Sequence, residues 1–319
     1  MEQLRNKDTR PMMDLVAKKV FNNTEVTAQF IRDLLDLPVT SVKILDGAQI
    51  HAKPYKEVLP YVTHVDVLAG LDDGTQVIIE IQVAMQVDFI KRLWLYICEQ
   101  VSQNLDEYKK EGVDTHYLSQ ELIPVYAIAI TEKSYFDDNR AIHTFSMRDD
   151  DNYEELKVKF KGIKEKRNLI RIVFLEIEKY STNTTENYKK VRWIEFFGNK
   201  PFTHEPEKIM EQADSIINPR EWTKEEKSMF DEKRRDFDGY YAHLAYVREE
   251  KEQAIAEGLQ QGIQQGLQQG REEGIVQGIA QEREKTINMF VDLVREGHLT
   301  KEMGARKLNI SEQEFEKYL

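Results

Sequence analysis

The chain predicts an α/β fold: a mixed sheet flanked by helices, followed by a long helical arm and a small helical tail. Three observations carry that expectation. Apolar residues recur at helical spacing over 12–36 and 86–111. Strand-like apolar runs fall at 42–50, 61–71, 75–83, 122–131 and 169–178. Helices dominate from about 185, and further on glycine recurs every fourth residue of a charged helical stretch. The order helix, strands, helix, strands, helices is that of an α/β domain with a mixed sheet.

Within 12–36, Leu15, Val16, Val20, Phe30, Leu34 and Leu35 fall on apolar faces. Asn22, Asn23 and Thr24 interrupt the pattern and supply a fresh N-cap, so two short helices are expected, with Pro38 stopping the second. Residues 42–50 read as one strand, and 61–71 with 75–83 as a hairpin. The helix at 86–111 carries a core stripe of Ile90, Leu93, Ile97, Val101 and Leu105 and ends at Gly112. LIPVYAIAIT, 122–131, is apolar throughout, the signature of a central strand.

Thr223 and Glu226 form a capping-box pattern that opens a long charged helix. Gly258, Gly262, Gly266, Gly270, Gly274 and Gly278 follow, with Leu259, Ile263, Leu267, Ile275 and Ile279 beside them. Four residues turn a helix by about 400°, so the glycine line drifts by about 40° per repeat. Each helical glycine costs about 1 kcal/mol relative to alanine. The arm is therefore either held by close packing against another helix or a loosely helical tether. Beyond it, 283–296 is an apolar-faced helix ended by Gly297, and Thr300 and Ser311 cap two more. Three short helices fit a small helical cap or a helix-turn-helix. The expected domains are 8–220, 221–282 for the arm and 283–319 for the tail.

The 319 residues are 32% charged and 40% hydrophobic, and the single cysteine, Cys98, excludes an intramolecular disulfide. The N-terminal residues lack the apolar core of a signal peptide, and no apolar run approaches the roughly 20 residues that span a bilayer. A cytoplasmic protein is expected. A net charge of −12 argues against a general polyanion binder. Charge is local, however: KVKFKGIKEKRNLIR, 157–171, holds seven basic residues and one acid. Lys157, Lys159, Lys161, Lys164, Lys166 and Arg167 are either a solvated edge that blocks sheet-to-sheet aggregation or a phosphate-contacting flank.

The stretch VDVLAGLDDGTQVIIEIQ, 65–82, carries Asp66 and Glu80 near the open end of the hairpin, with Gln82 two residues on. Along 76–83 the odd positions are apolar, while Glu80 and Gln82 share the other face. Loop length decides what the two acids can do. A two-residue turn at Asp73-Gly74 pairs Asp66 with Ile81 and sends the carboxylates to opposite faces. A three-residue turn at Asp72-Asp73-Gly74 sets Asp66 across from Glu80 and His64 across from Gln82, and it wants a left-handed glycine at Gly74. Opposed carboxylates about 5 Å apart at Cβ repel unless a cation or proton intervenes. Mg²⁺ suits such a pair. Gln82 has no charge, yet its amide can hold a water or a phosphate oxygen. Four residues apart on the next helix, Arg92 and Tyr96 share a face, where they either contact a phosphate or serve as an ion-pair partner and packing.

DLVAKKVF (14–21), the 65–82 stretch, RLWLY (92–96) and FLEIEKY (174–180), followed by the glycine repeats, resemble the recombination-promoting nuclease and transposase family of the PD-(D/E)XK nuclease superfamily. The resemblance covers about 8–285. It implies a restriction-endonuclease-like fold and Mg²⁺-dependent DNA cleavage, with Mn²⁺ a possible substitute. Asp66 and Glu80 would be metal ligands. Gln82 falls where the superfamily often has lysine and this family has glutamine. Asp14 and Lys18 match the first-helix motif in a supporting role, and Ala17 stands where the family has phenylalanine. Glu176 and Lys179 match the late strand motif and are expected to be structural. The expectation is a Mg²⁺-dependent DNA endonuclease linked to recombination or mobile elements, a homo-oligomer through its helical arm. Its rivals are a non-catalytic nucleic-acid-binding adaptor and a purely structural assembly.

Overall fold

A computed structural model describes residues 5–6, 9–50 and 62–319. It divides into two compact units, Met1–Phe237 and Asp238–Leu319.

The first unit begins with α1 (Asp14–Phe21) and α2 (Thr24–Leu35). Asn23 caps α2, its side chain accepting from the amides of Glu25 and Val26, and Asp36 ends it in the left-handed conformation, ahead of Pro38. Then come β1 (Val42–Leu45), β2 (Ala48–Ile50), β3 (Val62–His64), β4 (Val67–Leu71), β5 (Gln76–Gln82) and α3 (Phe89–Lys110). A 3₁₀ turn, Thr115–Gln120, leads to β6 (Val125–Thr131), β7 (Ile142–Ser146), β8 (Lys157–Val158), β9 (Arg167–Asn168) and β10 (Arg171–Glu176). α4 (Tyr188–Phe197), α5 (Lys208–Ile216) and the start of α6 (Lys224–Arg295) complete the unit.

Six strands form one sheet in the order β1-β4-β5-β6-β10-β7. β5, β6 and β10 run parallel at its centre, and the other pairs are antiparallel. Every residue of β6 is buried, because both faces of the central strands are covered. On one face Val77, Ile79, Ile128 and Val173 join a core with Val16, Phe21, Phe30 and Trp193 from α1, α2 and α4. On the other, Ile78, Ala127, Ala129 and Phe174 pack against Phe89, Leu93, Tyr96 and Ile97 of α3. Glu80 and Gln82 lie on this second face, so α3 covers them instead of solvent.

Three expectations need correction. The strand at 42–50 is two strands, β1 in the main sheet and β2 in a separate ribbon with β3. The break falls at Gly47, whose carbonyl accepts from the Val65 amide at 3.1 Å. A Cβ there would lie 2.8 Å from the Val65 carbonyl oxygen, so only glycine permits the approach. The first hairpin arm is likewise broken at Val65 and Asp66, and residue 61 lies outside the described residues. Finally, the buried face of α3 is rotated from the apolar stripe: Ile90 is exposed, while Phe89, Tyr96, Gln100 and Asn104 are buried. Asn104 Nδ2 donates to Gln76 Oε1 of the sheet at 2.7 Å, and Asn104 Oδ1 accepts from Gln100 Nε2 at 3.3 Å. Polar side chains with satisfied partners thus take core positions that periodicity assigns to apolar ones.

In the second unit α6 runs unbroken through all six repeat glycines and on to Arg295, so the expected separate helix at 283–296 is its last part. Its capping box, Thr223 with Glu226, lies in the first unit, with bonds of 2.8 and 3.2 Å. None of the six glycines has a heavy atom within 4 Å of where a Cβ would stand, and Leu259, Ile263, Leu267, Ile275 and Ile279 are exposed. Gly297 turns the chain, and α7 (Lys301–Leu308) and α8 (Glu312–Phe315) fold back to bury Ile287, Val291, Ala305 and Phe315. α8 is a single turn. Among the described residues no helix is long and apolar enough to cross a membrane.

Candidate active site

The hairpin turns in three residues. The Leu71 amide donates to the Thr75 carbonyl at 2.8 Å, and Gly74 takes φ +85°. Side chains pin the loop: Asp72 accepts from Thr40 Oγ1 at 2.6 Å, and Asp73 from the Thr75 amide at 3.0 Å. The register then runs Gly70↔Gln76, Ala69↔Val77, Leu68↔Ile78, Val67↔Ile79. Continued by one residue it sets Asp66 beside Glu80.

Asp66 stands just before β4, where the ladder opens, and the two acids take over the backbone's hydrogen bonds. The Asp66 amide donates to Glu80 Oε1 at 3.1 Å. The Ile81 amide donates to Asp66 Oδ2 at 2.8 Å. One oxygen of each carboxylate is thereby fixed to the opposite strand. Burial, and then the Asp66 charge, push the Glu80 carboxyl up to about 8. Burial also raises Asp66, against the Ile81 hydrogen bond and the charge of Lys18. This is a carboxylate pair short of positive charge.

Two cations flank it. On α1, Lys18 Nζ lies 2.8 Å from Asp14 Oδ1 and 3.6 Å from Asp66 Oδ1. Burial pulls the ammonium down, but the Asp14 hydrogen bond and charge, with Asp66 behind them, carry it above its ordinary value. Lys18 also lines a groove of about 680 Å³ with Lys19, Asn22 and Trp222 among others, and its side chain is 41% exposed. On α3, Arg92 Nη2 donates to Gln82 Oε1 at 2.9 Å, and its Nη1 bonds Gln86. The Gln82 amide donates to the Ala84 carbonyl at 2.7 Å. Gln82 therefore holds a guanidinium at the mouth of the site, and charge reaches the position from the next helix.

The remaining expected residues divide. Asp14 joins the cluster through Lys18. Tyr96 shares α3 with Arg92 but is buried in the core. His64 belongs to β3 and pairs with Ala48, so it does not continue the β4–β5 ladder opposite Gln82, and its side chain lies outside the description. The reason is the break at Val65 and Asp66, where Gly47 draws the chain towards β2. The basic segment sits at the other end of the sheet. Arg167 Nη2 pairs with Asp73 of the hairpin turn at 3.2 Å, and Lys161 pairs with Glu121 beside the 3₁₀ turn. β5 separates that end from Gln82 by about 20 Å. Lys157 pairs with Glu155 at 2.8 Å, while Lys159, Lys164 and Lys166 are exposed.

A second buried polar cluster forms around Glu176. Glu176 is paired across β6 with Thr131, which is paired with Gln82, so the three side chains form a row over the α3 face. Glu176 is fully buried, accepts from the Phe136 amide at 3.1 Å and from Lys179 Nζ at 2.8 Å, and has His143 Nδ1 at 3.2 Å. Those bonds tie the 133–140 loop to the sheet. His143 sits on an edge strand, β7, that no apolar run announces, and no sequence signal singled it out.

Among the described residues no group of three or more histidine, cysteine or acidic side chains is arranged to hold a metal. Two carboxylates with hard oxygen donors nevertheless fit Mg²⁺, which usually takes one or two and completes its shell with water and phosphate oxygens. The sheet is mixed and flanked by helices, and the acid pair lies near the C-terminal end of β5. The chain belongs to the PD-(D/E)XK nuclease family transposases, whose family model matches residues 11–244. Nucleases of this group generally use Mg²⁺ or similar divalent metals, and membership places the chain among nuclease- or transposase-related proteins. No curated protein and no solved structure gave a significant match.

Proposed function

We propose that the protein is a Mg²⁺-dependent DNA endonuclease, with Mn²⁺ able to substitute, linked to recombination or mobile-element activity. The three-residue turn that brings Asp66 opposite Glu80 carries the reading. Asp66 and Glu80 would hold the cation through the oxygens not committed to backbone. Bound there, it would make a coordinated water more acidic and offset charge on the phosphodiester. Hydrolysis joins the water oxygen to phosphorus as the P–O bond to the leaving sugar oxygen breaks; the water's proton passes to solvent, and the leaving oxygen takes a proton from solvent. Arg92, held by Gln82, would steady the non-bridging phosphate oxygens, and Gln82's second amide hydrogen would orient the water.

The decisive experiment is nicking of supercoiled plasmid by the purified full chain, with Mg²⁺ and with chelator. Nicking should need the metal and be lost in Asp66→Ala and Glu80→Ala. Full Mg²⁺-dependent nicking by Asp66→Ala would overturn the assignment. The exposed lysines at the far end of the sheet favour a second reading, a non-catalytic DNA-binding adaptor. It would show salt-sensitive, metal-independent binding and no nicking. The exposed apolar residues along the glycine repeats support self-association through the arm, which would give two sites for cutting a duplex. Sedimentation of the chain with and without residues 245–319 would show whether it holds copies together.

A further inference from the structure

Gln82 brings no charge to the acid pair, and Arg92 is engaged with Gln82 and Gln86. Among the described residues, Lys18 is the cation within ion-pair distance of Asp66. Its ammonium lies between two carboxylates, 2.8 Å from Asp14 and 3.6 Å from Asp66. That is where a second divalent cation would stand if Asp14 and Asp66 were to share one.

We propose that the Lys18 ammonium takes the place of a second metal, so that the site holds one divalent cation and Lys18 is a positioning residue for Asp66. The inference rests on the reading that Asp66 and Glu80 bind a metal. Three observations carry it further. Asp14 and Lys18 are one helical turn apart, so α1 presents both on one face. The helix cannot drift, because Val16, Ala17, Val20 and Phe21 are fully buried. The Lys18 side chain is 41% exposed, so water or an ion could enter if the ammonium were removed. Without it, Asp14 and Asp66 would face each other across the vacated position, two carboxylates of the kind that hold one ion of the two-cation sites many phosphodiesterases use.

The test counts metal on the full chain without DNA, using Mn²⁺ as probe, by equilibrium dialysis and paramagnetic resonance. Wild type should bind one ion. Lys18→Ala should bind two, with the first held on the order of tenfold more tightly once the ammonium's repulsion is gone. Lys18→Arg should return the count to one, and so should adding Asp14→Asn to Lys18→Ala. A merely structural lysine would leave the count at one in every variant, which would overturn the inference, as would two ions on wild type. No Mn²⁺ on wild type and none on Lys18→Ala would instead sink the metal-site reading itself. Circular dichroism establishes folding. If Lys18→Ala does not fold, Lys18→Ser provides the same count with a smaller change in polarity.

Discussion

Asp66 and Glu80 are tied to each other's strand. The Asp66 amide donates to Glu80 Oε1 at 3.1 Å, and Asp66 Oδ2 accepts from the amide of Ile81, next to Glu80, at 2.8 Å. The ladder thus ends in two carboxylates, Glu80 buried and Asp66 half-buried, where backbone carbonyls would otherwise serve. Such an arrangement orients both acids before any ligand arrives, at the cost of holding like charges together in a desolvated place.

That cost has a pH signature. Glu80 titrates at about 8 in the folded chain against an ordinary 4.5, so across this window the folded chain holds a proton that the unfolded chain has lost. Stability from this group is full below about 4.5 and falls as pH rises towards 8. Glu80→Gln removes the penalty. Its melting temperature should exceed that of wild type by roughly 5 °C or more at pH 9 and by much less at pH 5. Mg²⁺ should raise the wild-type midpoint more at pH 9 than at pH 6, since the cation competes with the proton. An equal gap between the two proteins at both pH values would refute the shift.

Gln82 and Arg92 should behave as one unit. Removing the glutamine carbonyl leaves a guanidinium without its acceptor at 2.9 Å, so Gln82→Ala and Arg92→Ala should each lower nicking by about ten- to a hundredfold, and the double variant by little more. Arg92→Lys should not rescue, because a single ammonium cannot fork between Gln82 and Gln86. Initial rates on plasmid, with circular dichroism to confirm folding, check this. Additive losses would mean that the two side chains act separately.

The turn was legible in the sequence as a choice between two loops, and one glycine marked the difference: Gly74 at the third position suits the three-residue form, and it adopts φ +85°. The central strands and α1 and α2 were legible for an equally local reason, since their apolar spacing reports burial. What was not legible depends on contacts far apart in the chain. Gly47 meets Val65, Gln76 meets Asn104, and Gln82 meets Arg92 only once the sheet and α3 are assembled. The burial of Glu80 and Gln82 was hidden for the same reason, because an alternating strand reads alike whether its polar face meets water or a helix. The position of 157–171 was also hidden, since composition does not say at which end of a sheet a loop returns.

Glu176 and Asp66 should give opposite results on mutation. Glu176 is fully buried with Lys179 against it at 2.8 Å, so Glu176→Ala leaves a nearly buried ammonium without its carboxylate. It should cost about 3 kcal/mol or more. Asp66→Ala relieves repulsion on Glu80 and should leave stability unchanged or slightly higher while abolishing nicking. Urea denaturation of the two variants at pH 8 distinguishes them. A large loss in Asp66→Ala would mark that acid as structural.

The lysines at the far end of the sheet should contribute to DNA affinity without touching chemistry. Lys159, Lys164 and Lys166 are exposed, and Lys159 and Lys164 line a groove of about 760 Å³ near the start of the parallel strands, on the order of 20 Å from Gln82. A duplex held at the acid pair would span that distance in about six base pairs, at 3.4 Å each along the strand. Changing all three to glutamine should weaken binding to duplex DNA and reduce the dependence of log affinity on log salt by roughly 2–3, close to 0.9 for each lost phosphate contact. Because the site lies at the opposite end of β5, Mn²⁺ binding should be unaltered, and so should the nicking rate at saturating DNA. Fluorescence anisotropy across a salt series, alongside single-turnover nicking, measures both. An unchanged salt slope would assign these lysines to solvation of the sheet edge and place the phosphate contacts nearer Lys18 and Arg92.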